Sequence, residues 1–200
     1  PTVDERPAGV GLEGYLFPDT YAFDRESPAE SAVARLLDNF ASRIGALRGS
    51  GWPSGLSAHE IVTLASIVER EAVLASERPR IARVFHNRLQ TPPYLLNADP
   101  TLQYALGFQP EAQTWWKQPL SSFDLEIDSP YNTYVRPGLP PGPIASPGFD
   151  SLEAATRPAD GDWQYFVADG RACDGSHLFA VTYDEHLTNV ALARQGDCGG

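Results

Sequence analysis

The chain has no methionine, only two cysteines, few basic groups for its acidic ones, and no apolar run long enough to span a bilayer. Each scarcity excludes something. Fifteen Lys and Arg against 26 Asp and Glu leave a net charge of −11. That balance excludes a nucleic-acid partner, which needs a basic surface. It also excludes adsorption to anionic lipid heads. A neutral or zwitterionic polymer suits such a surface better. Cys173 and Cys198 are too few for a disulfide scaffold, though one bridge is feasible in an oxidising compartment. The four histidines (His59, His86, His177, His186) show no close ligand pairing such as HxxxH, so no metal site and no cofactor is expected. No signal peptide is evident. The missing methionine and the eighteen prolines are a compositional cue to thermal robustness.

What remains is an ordinary globular composition: 42% hydrophobic and 20% charged over 200 residues. That is enough chain for a substantial core. Ser27-Pro28-Ala29-Glu30 reads as a capping box with proline at the first helical position. The helix it opens runs to about Leu47, with Val33, Leu36, Leu37, Phe40 and Ile44 on its apolar face. Ser57-Ala58-His59-Glu60 is a second capping box. Ser76 reads as the cap of a third helix carrying Ile81, Val84, Phe85 and Leu89. Asp99-Pro100 starts a short helix that Gly107 stops. From Gln109 to Pro147 the chain is rich in Pro, Gly and aromatics and nearly aperiodic. A loop that long is usually functional. A short helix spans Ser151 to Thr156. Residues 164–168 and 177–181 read as a hairpin, and Thr182-Tyr183-Asp184-Glu185 caps a last helix. The expected fold is α+β: one helix-rich domain over residues 1–200, a small mainly antiparallel sheet, and the long Pro/Gly-rich loop walling a cleft.

The helix opened by Ser57 carries an apolar stripe of Ile61, Leu64, Ala65, Val68 and Ala72. Glu69 lies four residues after Ala65 and shares its face. A carboxyl at the edge of an apolar stripe is poorly solvated and retains its proton, as a general acid on a glycosidic oxygen must. The competing reading is an interfacial Glu that reaches water or pairs with an Arg.

Seven segments, in order, carry a resemblance. They are Leu12-Glu13-Gly14-Tyr15-Leu16-Phe17-Pro18-Asp19-Thr20-Tyr21, Ala65-Ser66-Ile67-Val68-Glu69-Arg70-Glu71, Val84-Phe85-His86-Asn87-Arg88-Leu89 and Asp99-Pro100-Thr101. Tyr131-Asn132-Thr133-Tyr134 and Gly138-Leu139-Pro140-Pro141-Gly142-Pro143-Ile144 follow. Tyr165-Phe166-Val167-Ala168-Asp169-Gly170 with His177-Leu178-Phe179 closes the series. Together they resemble the MltG/YceG family of endolytic murein transglycosylases, from about Leu12 to about Ala193. Members carry an N-terminal membrane anchor and usually a small LysM-like part, so the resemblance implies the catalytic region alone. One departure stands out: Leu96-Asn97-Ala98 replaces the family's usual Leu-Gln-Ser/Thr before Asp99.

The resemblance implies cleavage of the bond between N-acetylmuramic acid and N-acetylglucosamine in peptidoglycan, leaving 1,6-anhydromuramyl ends and limiting nascent strand length. It implies action at the outer face of the bacterial cytoplasmic membrane, beside peptidoglycan synthases. Glu69 matches the catalytic glutamate on this reading. Asn132, Thr133, Tyr134, Tyr131, Gln103, Asn87 and Glu13 are the candidate substrate contacts, with a hydrogen-bonded turn as the alternative for YNTY. Glu71 is read as a salt-bridge partner of Arg70, Arg83 or Arg88. Asp19 and Asp99 are read as turn or N-cap residues, and Trp115-Trp116 as core cover or a distant sugar contact. Two other functions compete. One is a lysozyme-like muramidase using Glu13 or Glu71 as second carboxylate. The other is a non-catalytic glycan-binding module. A serine hydrolase built on Ser66 has no His/Asp motif to support it.

Overall fold

Ile61 to Val68 are eight consecutive buried residues, and the fold is arranged around them. The computed structural model describes residues 6–49, 52, 55–91 and 95–196. Among the described residues the elements run α1 (Ala29–Gly49), α2 (Ala58–Glu71), α3 (Arg78–Gln90), α4 (Asp99–Leu106), α5 (Phe149–Thr156), β1 (Tyr165–Ala168), β2 (His177–Ala180) and α6 (Tyr183–Ala193). Short 3-10 turns sit at Ala75–Glu77 and Asp124–Glu126. Helices with one two-stranded antiparallel sheet make this an α+β fold, and none of the helices is long and apolar enough to cross a membrane.

α2 opens with the expected capping box: Ser57 Oγ accepts from Glu60 N–H, and the Glu60 carboxylate accepts from Ser57 N–H at 2.8 Å. The helix is rich in β-branched residues, which cost a few tenths of a kcal/mol each against alanine. Full burial of Ile61, Val62, Leu64, Ile67 and Val68 returns roughly 2 kcal/mol apiece, so packing decides the structure. The expected single stripe is too narrow. α2 is apolar nearly all round, the mark of a core helix, and α5, α3 and α4 pack against it. Its two buried hydroxyls stay satisfied within the helix and beyond it. Thr63 donates to His59 O at 2.8 Å, and Ser66 donates to Thr63 O at 2.7 Å while accepting from Ile144 N–H at 3.0 Å. Ser66 is therefore a buried strut, not a nucleophile.

α1 engages the core chiefly through its C-terminal half, where Phe40, Ile44 and Leu47 are buried, with Leu37 packed against them; Val33 is exposed. Ser76 does not cap α3. It lies in the 3-10 turn, and Glu77 occupies the N-cap without a side-chain bond. Glu77 is used differently: its carboxylate accepts from His177 N–H at 3.1 Å and meets His177 Nδ1 at 2.8 Å. That pair fastens the turn to β2. β1 and β2 pair Tyr165 with Ala180 through Ala168 with His177. The hairpin rests on α3 through the edge-to-face contact of Phe166 with Phe85, and α6 packs against both strands behind its own capping box at Thr182.

Residues 107–148 form no α-helix or strand, in keeping with their composition. They are nonetheless held. Asp124 accepts from Lys117 Nζ at 2.8 Å on both oxygens and from Ser121 N–H and Oγ. The Lys117 bonds, then those of Ser121, hold its carboxyl down at about 2. Cys173, in the hairpin loop, is disulfide-bonded. Cys198 lies outside the described residues.

Candidate functional site

α2 ends in Glu69-Arg70-Glu71, and the three side chains leave the helix in different directions, as residues one and two apart must. Glu69 turns to α5. Its Oε2 accepts from Ser151 Oγ at 2.6 Å and from Gly148 N–H at 3.2 Å, and Arg78 lies 3.8 Å from Oε1. Gly148 is the N-cap of α5 and has no side chain to cap with. Glu69 supplies the missing acceptor from the neighbouring helix, where a negative group also meets the favourable end of the α5 dipole. Every partner of this carboxylate is a donor, an arrangement that suits an interhelical cap and favours the charged form over the proton carrier expected from the sequence.

Glu71 turns to the other side, toward the start of α4. Among the described residues no hydrogen bond or ion pair engages its carboxyl. The guanidinium groups expected to pair with it are occupied elsewhere. Arg83 donates to Ala159 O. Arg88 donates to Gln164 O at 2.7 Å and to Leu96 O. Arg70 lies 3.7 Å over the Trp116 ring. Burial, reinforced by the nearby Asp99 carboxylate and only partly offset by Arg88 and Arg70, pushes the Glu71 carboxyl up to about 8. At neutral pH this group carries a proton.

Asp99 is not a cap. Ala98 is the N-cap of α4, without a side-chain bond, and Asp99 accepts a short hydrogen bond from the Tyr134 hydroxyl. Burial first, then the Asp99 bond and charge, push the Tyr134 phenol up. Asp99 and Tyr134 line an open hollow of about 700 Å³ together with Gln103, Gln118, Leu120 and Leu125. Glu71, Asp99 and Tyr134 thus form one electrostatically coupled group at the edge of a cavity.

The other expected substrate contacts divide. Asn132 is fully buried. It donates to Leu125 O and Ile127 O and accepts from Tyr134 N–H. Thr133 bonds Ala98 N–H at 3.1 Å and Thr101 Oγ1 at 2.9 Å. Both support the turn that carries Tyr134 toward Asp99 and are buried, which matches the hydrogen-bonded-turn alternative for YNTY. Asn87 donates to Gly161 O and Trp163 O and is likewise structural. Gln103 donates to Lys117 O at 3.0 Å while lining the Asp99 hollow. Glu13 and Trp115-Trp116 line a second hollow of about 700 Å³ with Tyr104, Ile144 and Ser146. Trp115 is 60% exposed and so is not core cover, while Trp116 is half-buried beneath Arg70. Tyr131 packs on Tyr104, ring centroids 4.9 Å apart. Among the described residues no three His, Cys, Asp or Glu side chains converge as metal ligands.

Asn97, the departure from the resembled pattern, has φ 48°, a left-handed conformation that asparagine tolerates better than most residues. Its N–H donates to Thr133 O at 3.1 Å, so the substitution fits the backbone that carries Asp99.

Comparison with known proteins agrees over nearly the whole chain. A family model described as the YceG-like family matches residues 3–192. The endolytic murein transglycosylase of Bacillus subtilis is 40% identical over 176 residues, covering 88% of this chain and 46% of that protein. The endolytic murein transglycosylase of Streptococcus pneumoniae is 34% identical over 194 residues, covering 94% of this chain and 33% of that protein. The chain therefore spans less than half the length of these curated relatives. A crystal structure of a yceG-like protein from Listeria monocytogenes superposes with a TM-score of 0.76 at 39% identity, covering 88% of this chain and 55% of that one.

Proposed function

The chain belongs to the YceG-like family, and from that premise we propose that it is the catalytic region of an endolytic murein transglycosylase, with Glu71 rather than Glu69 as its general acid. The observation that carries this reading is the Glu71 carboxyl, protonated up to about pH 8 beside the Asp99–Tyr134 hollow. The substrate is a peptidoglycan glycan strand. Glu71 gives its proton to the oxygen bridging muramyl C1 and N-acetylglucosamine C4, and that C1–O bond breaks. The muramyl C6 hydroxyl attacks C1, and the Glu71 carboxylate takes the hydroxyl proton as the new C1–O6 bond closes. The acid is regenerated, no water is consumed, and the product ends in a 1,6-anhydro ring. Attack within one sugar needs positioning more than a strong nucleophile. One carboxyl therefore suffices where hydrolases use two.

The pairing of Glu71 with Asp99 favours one second reading, a muramidase in which Asp99 directs a water. The mass of products from purified strands separates the two, because the anhydro product is one water lighter. Release of anhydro ends by the wild type, lost in Glu71→Gln and kept in Glu69→Gln, is the expected result. Hydrated ends would reject the transglycosylase, and loss in Glu69→Gln alone would return the acid to Glu69.

Such an enzyme works outside the cytoplasmic membrane, alongside strand-synthesising enzymes, and an anchor in the rest of the full-length protein would hold it there. We assign Cys198 as the partner of the disulfide-bonded Cys173, a bridge suited to that oxidising side. Two free thiols per chain in denatured, unreduced protein made under oxidising conditions would reject the pairing.

A further inference from the structure

Trp116 lines the hollow that holds Glu13, and it also lines a third hollow of about 600 Å³. Gln118 is common to that third hollow and to the one at Asp99 and Tyr134. The three hollows therefore lie side by side, from the one at Asp99 and Tyr134, next to Glu71, to the one at the Trp115–Trp116 pair. The far end has a definite chemistry. Two indoles offer faces for the C–H side of a ring. The Glu13 carboxylate accepts hydroxyl hydrogens, and the Tyr104 and Ser146 hydroxyls accept or donate. Among its lining residues Glu13 is the charged one, so an anionic unit is disfavoured there.

The end is also built in advance. Arg70, the residue before Glu71, stacks on Trp116 at 3.7 Å, and Trp115 packs against Phe108 at 5.4 Å. Glu13 is set by Gly14, which has φ +85° and whose added Cβ would come within 2.4 Å of Pro143. Preformed walls spend little ordering entropy on a ligand.

We propose that the Trp115–Trp116–Glu13 hollow is a distal subsite that takes a neutral pyranose, the N-acetylglucosamine unit rather than the carboxyl-bearing muramyl unit, of the strand being cleaved. This rests on the glycan reading above. Its consequence is that the enzyme engages a strand at a distance from the scissile bond and discriminates against short ends.

The test is calorimetric binding of chitohexaose, a neutral β-1,4-linked N-acetylglucosamine oligomer, to the wild type and to Trp115→Ala, Trp115→Phe and Glu13→Gln, with melting curves as folding controls. Trp115→Ala should weaken binding roughly tenfold, the scale of one lost ring-stacking contact. Trp115→Phe should recover most of the loss. With glycan strands, KM should rise by a similar factor while kcat falls far less. Unchanged hexaose affinity in Trp115→Ala, no hexaose binding by the wild type, or a fall in kcat at constant KM would each overturn the subsite. The binding measurement does not depend on cleavage. A wild type that binds hexaose through Trp115 yet releases no anhydro ends would sink the transglycosylase and leave the subsite standing.

Discussion

Glu69 and Glu71 share a helix turn, a residue type and an apolar helix, yet they end in opposite environments. On one side of α2, three donors converge on the Glu69 carboxylate from α5 and Arg78. On the other, Glu71 meets a buried edge, an acidic neighbour and no hydrogen bond among the described residues. Burial alone does not make a carboxyl into an acid catalyst. What decides is whether the surroundings donate to the charged form or withhold from it. The first environment builds a joint and the second stores a proton.

The comparison breaks most sharply on activity. Glu71→Gln keeps the shape but delivers no proton, and glycan cleavage should fall by at least about 100-fold. Glu69→Gln should stay within several-fold of the wild type when assayed below its melting temperature. Equal losses in the two folded variants would erase the distinction between the two glutamates.

Stability should move the other way. Glu69→Gln weakens charge-assisted hydrogen bonds at the α5 N-cap and should cost about 2 kcal/mol. Glu71→Gln should be more stable than the wild type at alkaline pH. The sign follows from linkage. The folded state holds the Glu71 proton to about 8, whereas the unfolded chain releases it near 4.3. The native state therefore binds more protons between those values, and wild-type stability declines as pH rises through that window. Removing the group should flatten the decline, by an amount on the order of 4 kcal/mol between pH 5 and pH 8.5. Denaturant midpoints of both proteins at pH 5 and pH 8.5 check this, and a gap that does not widen with pH would contradict it.

Smaller effects sharpen the picture. The pH–rate profile of the wild type should lose activity above about 8, where Glu71 gives up its proton. Asp99→Asn removes the second of the two influences that raise Glu71, so its alkaline limb should move to lower pH, by less than the full shift because burial remains the larger cause. A limb that stays in place or moves upward would show that Asp99 does not act on Glu71. Asn132→Ala should act mainly on folding. It breaks two buried donor bonds to carbonyls and should lower stability by about 2–3 kcal/mol, readable as a melting shift larger than any change in KM.

Much of the architecture is legible in the chain because local signals agree with the packing. The Ser57 and Thr182 boxes, Pro79 in the first turn of α3, and Gly107 past the end of α4 all sit where their capping chemistry requires. The site is legible only to its neighbourhood. A single stripe through Ile61, Leu64 and Val68 points to Glu69, but Val62 and Ile67 are equally buried, so between Ile61 and Val68 α2 has no solvent face to tell the two glutamates apart. The hint was present in that near-continuous apolar run: when both faces of a helix are covered, both carboxyls at its end meet protein, and only the partners across each interface assign their roles. Those partners, Ser151 for one and Asp99 for the other, lie 82 and 28 positions away in sequence, beyond the reach of periodicity. Asn132 and Thr133 are ambiguous in the sequence for the opposite reason. Amides and hydroxyls in a glycan-like motif serve equally to tie a turn, and burial decides between the uses.

His59 links three segments through one ring. Its Nε2 faces Pro141 O at 2.8 Å, and its Nδ1 faces the Tyr15 hydroxyl at 2.7 Å. A carbonyl has no hydrogen to give, so Nε2 carries a proton, and in the neutral ring Nδ1 then receives one from Tyr15. The imidazole is thereby fixed as a single tautomer only while the segment before α1 and the proline-rich segment before α5 are both seated against α2. Imidazole nitrogen chemical shifts would accordingly serve as a built-in gauge of groove assembly, readable at one residue in solution, with or without a glycan present.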